Sequence, residues 1–161
     1  MKNLTKIMLA AAILFGVQAV KAQNMDTTAV YEVQKVLKEC GAFFLATTDG
    51  DQPRVRPFGA LAVYSGKLYL ITAKSKNVYK QIAANGKFEL CGWNASKGEW
   101  VRVSGRLITD DTAEAQEAVL DQNPDLKGMY KVGDSNTAVM YIEDGVATYN
   151  TFSGAPRTVS F

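Results

Sequence analysis

Residues 43–59 read FFLATTDGDQPRVRPFG, and this segment carries the strongest fold signal in the chain. Residues 43–48 are aromatic, aliphatic and β-branched side chains in a run, which is typical of a buried strand. The Asp-Gly-Asp sequence at 49–51 is a hairpin-type turn. A second strand is predicted over residues 54–64. Because a turn this short cannot hold a crossover, the two strands are predicted to be antiparallel.

The same kind of pattern continues along the chain. Further strands are predicted over residues 67–72, 88–93, 100–109, 139–142 and 146–149. Helical spacing of apolar side chains predicts helices over residues 28–39, 77–84 and 112–122. The sequence therefore predicts a mainly β (α+β) domain. Its architecture is an antiparallel barrel of six to seven strands with flanking helices, since closing the sheet removes its exposed edges.

Helix ends and turns are also marked in the sequence. Ser75 or Asn77 is predicted to cap the second helix, and Asp110 or Asp111 the third. The Asp-Gly pair at 144–145 is predicted to be a turn between two strands.

Residues 1–22 have the layout of a secretory signal peptide. Lys2 and Lys6 precede an apolar run over residues 7–17, and Val20-Lys21-Ala22 offers a small-residue cleavage site. A membrane-spanning helix needs about 20 apolar residues, which is longer than this run. The alternative is an N-terminal anchor helix that is not cleaved. We expect an exported protein, periplasmic or secreted, with a single domain over residues 23–161.

The charge balance argues against a nucleic-acid partner. The chain has 18 basic and 16 acidic side chains, a formal charge of +2. Residues 1–22 contain three of the basic residues and no acid, which leaves 15 against 16, or −1, for the remainder. A nearly neutral domain lacks the basic patch that nucleic acid requires.

The chain contains no histidine. This excludes Ser-His and Cys-His nucleophilic catalysis, histidine-ligated haem and histidine-based metal sites. Cys40 and Cys91 cannot by themselves form a common zinc site, so no metal site is predicted. An oxidising compartment would permit a disulfide between them, and two buried free thiols are the favoured alternative.

Two segments combine residues that suit a phosphate. Arg54, Arg56 and Phe58 lie at alternate positions and so point to one face of a strand. Paired arginines beside an aromatic ring suit an anion attached to a ring, and a solvated edge strand is the alternative. Residues 71–82 run from a strand into a helix through hydroxyls, an amide and two lysines. A helix N-terminus near lysines can hold phosphate, and a plain N-cap is the alternative.

A third segment, residues 98–105, places Trp100, Arg102 and Ser104 on one face of a strand, opposite Val101 and Val103. An aromatic ring and a cation on the outer face indicate a surface that meets a ring or a partner subunit. The alternative is a core tryptophan with a salt-bridged arginine.

Together these segments resemble the pyridoxamine 5′-phosphate oxidase-like FMN-binding split barrels, and in particular their small nitroimidazole-resistance-like members. The resemblance runs from about Val30 to Phe161. It rests on several motifs in the family's order: residues 39–41, 52–59, 77–82, 98–105 and 152–157.

The resemblance implies a split β-barrel that binds FMN. Arg56 matches the arginine that holds the FMN phosphate, and Pro57 and Phe58 match the backbone beside the flavin ring. Trp100 resembles a residue that contacts FMN from the second subunit, which implies a homodimer with two sites at its interface. With Arg54, which the strand pattern alone suggests, the predicted cofactor-binding residues are Arg54, Arg56, Pro57, Phe58, Thr72, Ser75, Lys76, Asn77 and Trp100.

The departures from the family concern activity. The usual Ser-Arg-Lys order of the phosphate-binding turn is replaced here by Ser75-Lys76-Asn77. The vitamin-forming oxidases, the histidine-dependent nitroimidazole reductases and the haem-degrading members all use a histidine that this chain lacks. Oxidation of pyridoxamine phosphate is therefore not expected, and no catalytic residue is assigned.

The function predicted from the sequence is that of an FMN-binding flavoprotein, an oxidoreductase acting on an unknown small molecule. FMN accepts hydride without a protein nucleophile, so the missing histidine is no obstacle. Reduced nicotinamides are cytosolic, so an exported protein is expected to use another electron donor or none. The alternative is a non-catalytic exported protein that binds flavin or a related ligand. A third hypothesis is a barrel that has lost its cofactor and only dimerises.

Overall fold

The computed structural model describes residues 27–161, in three α-helices, one short 3-10 helix and eight strands. The predicted signal peptide, residues 1–22, lies outside this range. The helices are α1 (Thr27–Glu39), α2 (Asn77–Ala84) and α3 (Ala113–Asp121), with the 3-10 helix at Pro124–Leu126. The strands are β1 (Phe43–Asp49), β2 (Gln52–Phe58), β3 (Ala62–Tyr64), β4 (Lys67–Ala73), β5 (Lys87–Asn94), β6 (Glu99–Thr109), β7 (Thr137–Thr151) and β8 (Arg157–Ser160).

The strands form one antiparallel sheet in the order β2-β1-β5-β6-β7-β4-β3, and β8 pairs with β7. The two end strands of this path, β2 and β3, are not hydrogen-bonded to each other in the part of the chain that the structure describes. The sheet is thus a split barrel, and the predicted α+β split-barrel fold is confirmed. It has one more strand than the upper end of the predicted range.

Residues 54–64 are two strands, where the sequence predicted one. β2 pairs with β1 and β3 pairs with β4, at opposite ends of the sheet. The chain therefore has to leave one edge and cross to the other, which it does over residues 59–61. Local alternation could not show this break, because it depends on which distant strand each half pairs with.

The segment predicted as two strands around residues 144–145 is the single strand β7. Asp144 has a φ of 51°, and the register between β6 and β7 shifts at Ser104 and Arg106. Gly105 lies at this bulge, and a Cβ there would stand 2.8 Å from the Glu143 carbonyl oxygen. The Asp-Gly pair therefore bends a long strand and does not reverse the chain. β8 was not predicted.

The helix caps also differ from the prediction. Thr112 caps α3, and its hydroxyl accepts a hydrogen bond from the Ala115 amide. Asp110 instead accepts hydrogen bonds from Thr112 and from the Tyr69 hydroxyl. Lys76 is the N-cap residue of α2, and no side chain caps that helix.

The core has two parts, one on each face of the sheet. The larger part fills the barrel and includes Leu45, Leu70, Leu90 and Val103, all fully buried. The helix α1 closes it with its apolar side chains Val30, Val33 and Leu37. The smaller part lies between α3 and the opposite face of β4 and β7, and contains Tyr69, Ile71, Val119 and Val139.

Cys40 and Cys91 are half-buried, whereas the sequence favoured two buried thiols. Burial raises the pKa of the Cys40 and Cys91 thiols. No helix within residues 27–161 is long and apolar enough to cross a membrane.

Candidate functional site

A cleft of about 510 Å³ opens between the end of β2, the loop before α2 and the segment that follows α3. Its size lies within the range of small-molecule sites. Its lining residues are Arg56, Pro57, Phe58, Gly59, Ala60, Ile71, Thr72, Lys76, Val78, Gln122, Asn123, Pro124, Asp125, Leu126, Met129 and Tyr130. Polar and apolar side chains share the walls, and two cations and one carboxylate, Asp125, stand among them.

Arg56 is the better fixed of these cations. Its Nη1 donates to the Leu45 carbonyl oxygen at 3.0 Å and to the Thr47 hydroxyl at 2.7 Å. Its Nη2 donates to Gln81 Oε1 at 2.8 Å. Because β2 pairs with β1 and α2 packs against β1, two other elements, β1 and α2, hold the guanidinium of this β2 residue.

All the acceptors that hold Arg56 are neutral. Within residues 27–161 no carboxylate forms an ion pair with this guanidinium. Burial, with a smaller contribution from the charge of Arg54, lowers the pKa of Arg56 from its ordinary, very high value. The side chain therefore presents a positive charge that is not balanced by the protein itself, in a setting where a ligand anion would balance it.

Lys76 supplies the second cation. Its Nζ donates to the Tyr130 hydroxyl at 3.0 Å, and lies 5.6 Å from the centroid of the same ring. Tyr130 is itself buried, so the hydroxyl is a fixed partner for an otherwise mobile side chain. Lys76 is not ion-paired with any acid among the described residues.

The structure brings five of the nine predicted cofactor residues to this cleft: Arg56, Pro57, Phe58, Thr72 and Lys76. The other four do not line it. The side chain of Arg54 is half exposed and lies 3.5 Å from Asp49. The amide of Ser75 donates to Asn136 Oδ1, and Asn77 lines a separate small hollow beside the β1–β2 turn. Trp100 lies on the outer face of the sheet.

Sequence reasoning missed Thr47, Gln81 and Tyr130. Gln81 follows Val78 by three residues and precedes Ile82, so it lies on the apolar face of α2. A polar side chain on such a face is a signal that could have drawn attention to it. The other missed part is the wall formed by residues 122–130, to which the sequence assigned no role.

A second cleft, of about 340 Å³, contains Trp100, Tyr149 and Arg157. Its cations are already neutralised: Lys97 pairs with Glu39 at 2.6 Å, and Arg157 pairs with Glu32. Arg157 also stacks on the Tyr149 ring, 4.1 Å from its centroid. This cleft is therefore less suited to an anionic ligand than the one that contains Arg56.

The outer face of β2, β1, β5 and β6 carries a patch of apolar side chains. Register places Val55 opposite Ala46, Phe44 opposite both Pro57 and Cys91, and Trp93 opposite Trp100. Phe152 closes the patch, with its ring centroid 5.4 Å from that of Trp100 and 5.9 Å from that of Trp93. Large exposed members of this outer apolar face are Val55 (69%), Phe44 (48%), Trp93 (41%) and Phe152 (82%).

The fold and the cleft together define a split-barrel protein with a cationic end to its candidate site. Comparison with known proteins gives the family. The family model described as pyridoxamine 5′-phosphate oxidase matches residues 30–143. A NimC/NimA family protein from Clostridium acetobutylicum is 43% identical, with 86% of this chain and 96% of that chain covered and a TM-score of 0.82. The chain belongs to the pyridoxamine 5′-phosphate oxidase family.

Two more distant structures share the fold. General Stress Protein 26 from Bacillus anthracis is 16% identical, covering 81% of this chain and 97% of that one, with a TM-score of 0.64. A pyridoxamine 5′-phosphate oxidase-related, FMN binding protein from Nostoc punctiforme is 13% identical, covering 83% and 95%, with a TM-score of 0.54. At this identity the likeness concerns the fold alone. No curated protein sequence matches the chain significantly.

Proposed function

We propose that this protein binds FMN in the cleft lined by Arg56 and Lys76, with the phosphate at these two cations. The observation that carries the proposal is the Arg56 guanidinium, which is held by three neutral oxygens and has no carboxylate partner among the described residues. A partly buried cation without a counter-charge is stabilised by a bound anion, and arginine suits a phosphate in particular.

The remainder of the cleft suits an aromatic ring system. Phe58, Ile71, Val78, Leu126 and Met129 supply apolar surface next to the cationic end. A flavin combines a flat, largely apolar ring with a phosphate at the end of a chain. The FMN binding protein from Nostoc punctiforme has the same fold. These features support FMN over a purely inorganic anion.

The proposal includes a homodimer with the FMN sites at its interface. The cleft and the outer apolar face adjoin at Pro57, which lines the cleft and is paired with Phe44 of the outer apolar face. A large exposed apolar patch on a soluble domain marks an interaction surface. We infer that a second copy covers this face, so that Trp100 of one chain approaches the cleft of the other.

The activity proposed is that of an oxidoreductase acting on a small molecule. Bound FMN supplies hydride acceptance and donation, and the protein supplies orientation and electrostatics. Arg56, Lys76, Asp125 and Tyr130 are the titratable side chains that line the cleft, and none is a histidine or a cysteine. This poor set of acid–base groups also favours the second candidate, a protein that binds flavin without turnover.

Export stays part of the proposal and rests on the sequence of residues 1–22 alone. An exported chain would take up its FMN outside the cytosol and meet few reduced nicotinamides there. We therefore expect an electron donor of another class, such as a quinol or a protein thiol, for the enzyme, and none for the binding protein.

The test is the absorbance spectrum of the purified chain after incubation with FMN and desalting. The expected result is a retained flavin spectrum near one FMN per chain. Arg56→Ala should lower FMN affinity at least about tenfold, because a charge-assisted contact to the phosphate is lost. Arg106→Ala removes an exposed arginine outside the cleft and is the matched control.

A colourless wild-type protein after desalting would refute the flavin proposal. Unchanged affinity in Arg56→Ala would refute the assignment of the phosphate to this residue. Once binding is established, anaerobic reduction of the bound flavin by candidate donors separates the two functions. Rapid reduction followed by reoxidation with a small-molecule acceptor favours the oxidoreductase, and a flavin that no donor reduces favours the binding protein.

A further inference from the structure

The buried amide of Gln81 stands directly behind the cleft. Gln81 is only 7% exposed and projects from α2 on the same side as Val78 and Ile82. Thr47, on β1, is 4% exposed. Neither residue lines the cleft, so neither would contact a ligand bound there, whereas both contact Arg56.

Gln81, Thr47 and Arg56 form a closed triangle of hydrogen bonds. The Thr47 hydroxyl donates to Gln81 Oε1 at 2.7 Å, and Arg56 donates to Thr47 Oγ1 at 2.7 Å and to Gln81 Oε1 at 2.8 Å. Each contact joins a different pair of elements among β1, β2 and α2. Buried networks in which each polar group has a partner fix side-chain positions strongly.

The triangle also determines which edge of the guanidinium stays free. Both Nη1 hydrogens are used, by Leu45 O and Thr47 Oγ1, and one Nη2 hydrogen is used by Gln81. Since the Thr47 and Gln81 oxygens are themselves hydrogen-bonded, they occupy the Nη1–Nη2 edge together. This leaves Nε–H and one Nη2–H, which lie side by side on the adjacent edge and match two oxygens of a phosphate.

The chemistry of residue 81 matters as much as its position. A glutamate would fill the same space and accept the same hydrogen bonds, but its charge would neutralise Arg56. The amide orients the guanidinium and leaves its charge for a ligand. Lys76 is likewise held by a neutral group, the Tyr130 hydroxyl.

We propose that Gln81 is a positioning residue that makes the cleft selective for the phosphorylated flavin over riboflavin. It fixes Arg56 with one edge free and does so without cancelling its charge. This inference rests on the proposed function, since it concerns the phosphate end of the same site. It goes beyond that function in naming the residue that sets the preference.

The experiment measures the dissociation constants of FMN and riboflavin by quenching of flavin fluorescence, for the wild type, Gln81→Glu and Gln81→Met. We expect Gln81→Glu to weaken FMN binding at least about tenfold and to change riboflavin binding less than about twofold. The charge-matched control is Gln52→Glu, an exposed position on β2 roughly 13 Å along the strand from Arg56. It should leave both constants unchanged.

Thermal unfolding of each variant separates positioning from a structural role. Loss of FMN and riboflavin binding in equal measure, with a lowered Tm, would show that Gln81 only supports the fold and would overturn the inference. Unchanged FMN affinity in Gln81→Glu would also overturn it, while leaving the proposed function intact. If Gln81→Glu does not fold, the neutral variant Gln81→Met is used instead. The deciding quantity is again the ratio of its FMN dissociation constant to its riboflavin dissociation constant, compared with the wild-type ratio.

The wild type distinguishes the remaining outcomes. If the wild-type protein binds neither FMN nor riboflavin, the proposed function itself is refuted. One that binds FMN and riboflavin equally tightly retains a flavin site but overturns the role given to Gln81.

Discussion

The Tyr130 hydroxyl accepts a hydrogen bond from Lys76 Nζ at 3.0 Å, and this contact joins the segment after α3 to the loop before α2. The two residues are 54 positions apart in the chain. The contact holds a lysine side chain, which otherwise has several rotamers, beside the cleft. Residues 122–130 are therefore part of the candidate site as well as a connection between α3 and β7.

Tyr130→Phe tests this contact. Removing the hydroxyl frees the Lys76 ammonium, so we expect FMN affinity to fall about threefold to tenfold, because a hydrogen bond to a charged group is lost. The affinity for riboflavin should stay the same, since riboflavin has no phosphate. Both constants are measured by fluorescence titration, with Tyr31→Phe, an exposed tyrosine on α1, as the control. An equal loss for both flavins would contradict a role at the phosphate.

Gly92→Ala tests the packing of α1 against β5. A Cβ at this position would lie 3.0 Å from Cys40 Sγ and 3.0 Å from Leu37 Cδ2. Leu37 is fully buried, so the crowding cannot be relieved by a swing into solvent. We expect the free energy of unfolding to fall by about 1–3 kcal/mol in urea denaturation.

The control for this substitution is Gly128→Ala, where a Cβ would meet nothing within 4 Å. Its effect on stability should stay within about 0.5 kcal/mol. Equal stability of Gly92→Ala and the wild type would mean that α1 can move away from β5 at little cost.

Asp110 is expected to make stability depend on pH in the acid range. Burial acts to raise the pKa of Asp110, but hydrogen bonds from Tyr69 and Thr112, together with the charge of Lys67, outweigh it and lower the pKa below its ordinary value. A lowered pKa in the folded state stabilises the protein above the unfolded-state pKa. That contribution is lost as the pH falls through the folded-state value.

Tyr69→Phe removes the main hydrogen bond to this carboxylate. It should therefore lose less stability than the wild type when the pH is lowered from about 6 to about 3, as followed by urea denaturation at each pH. Tyr141→Phe is the control. The Tyr141 ring lies beside the Tyr69 ring, with centroids 5.8 Å apart, but it is the Tyr69 hydroxyl that donates the hydrogen bond to Asp110. Parallel pH profiles for the wild type and Tyr69→Phe would exclude the Tyr69–Asp110 hydrogen bond as the source of the dependence.

Val55→Asp tests the proposed dimer. Val55 is 69% exposed on the outer apolar face, so a charge there should cost the isolated chain little. Burying that carboxylate against a second copy would be strongly unfavourable. We expect size-exclusion chromatography with light scattering to change from dimer to monomer, and FMN binding to weaken with it. Val132→Asp, an exposed apolar position outside this face, should leave the dimer intact.

The strands and helices were largely predictable because their signals are local. A run of strand-forming side chains over residues 43–48 identified β1, alternation over residues 100–105 marked β6, and helical spacing identified α2 with its observed bounds. Apart from the local errors at the caps of α2 and α3, the wrong strand bounds lie where pairing with a distant strand decides. Residues 54–64 divide between the two edges of the sheet, and β7 continues through Asp144 because β6 pairs with it on both sides of the bulge.

For the candidate site, the sequence by itself determined the types of residue available and the strand face that each occupies. Arg56 and Phe58 were assigned to one face by alternation alone, and the absence of histidine already restricted the chemistry. Only the tertiary structure decided that Arg54 lies beside Asp49 while Arg56 turns to Thr47 and Gln81. Local periodicity predicts the face of the strand to which a side chain points. The neighbour it meets is set by packing between segments far apart, such as Thr47 and Gln81, which are 34 residues apart.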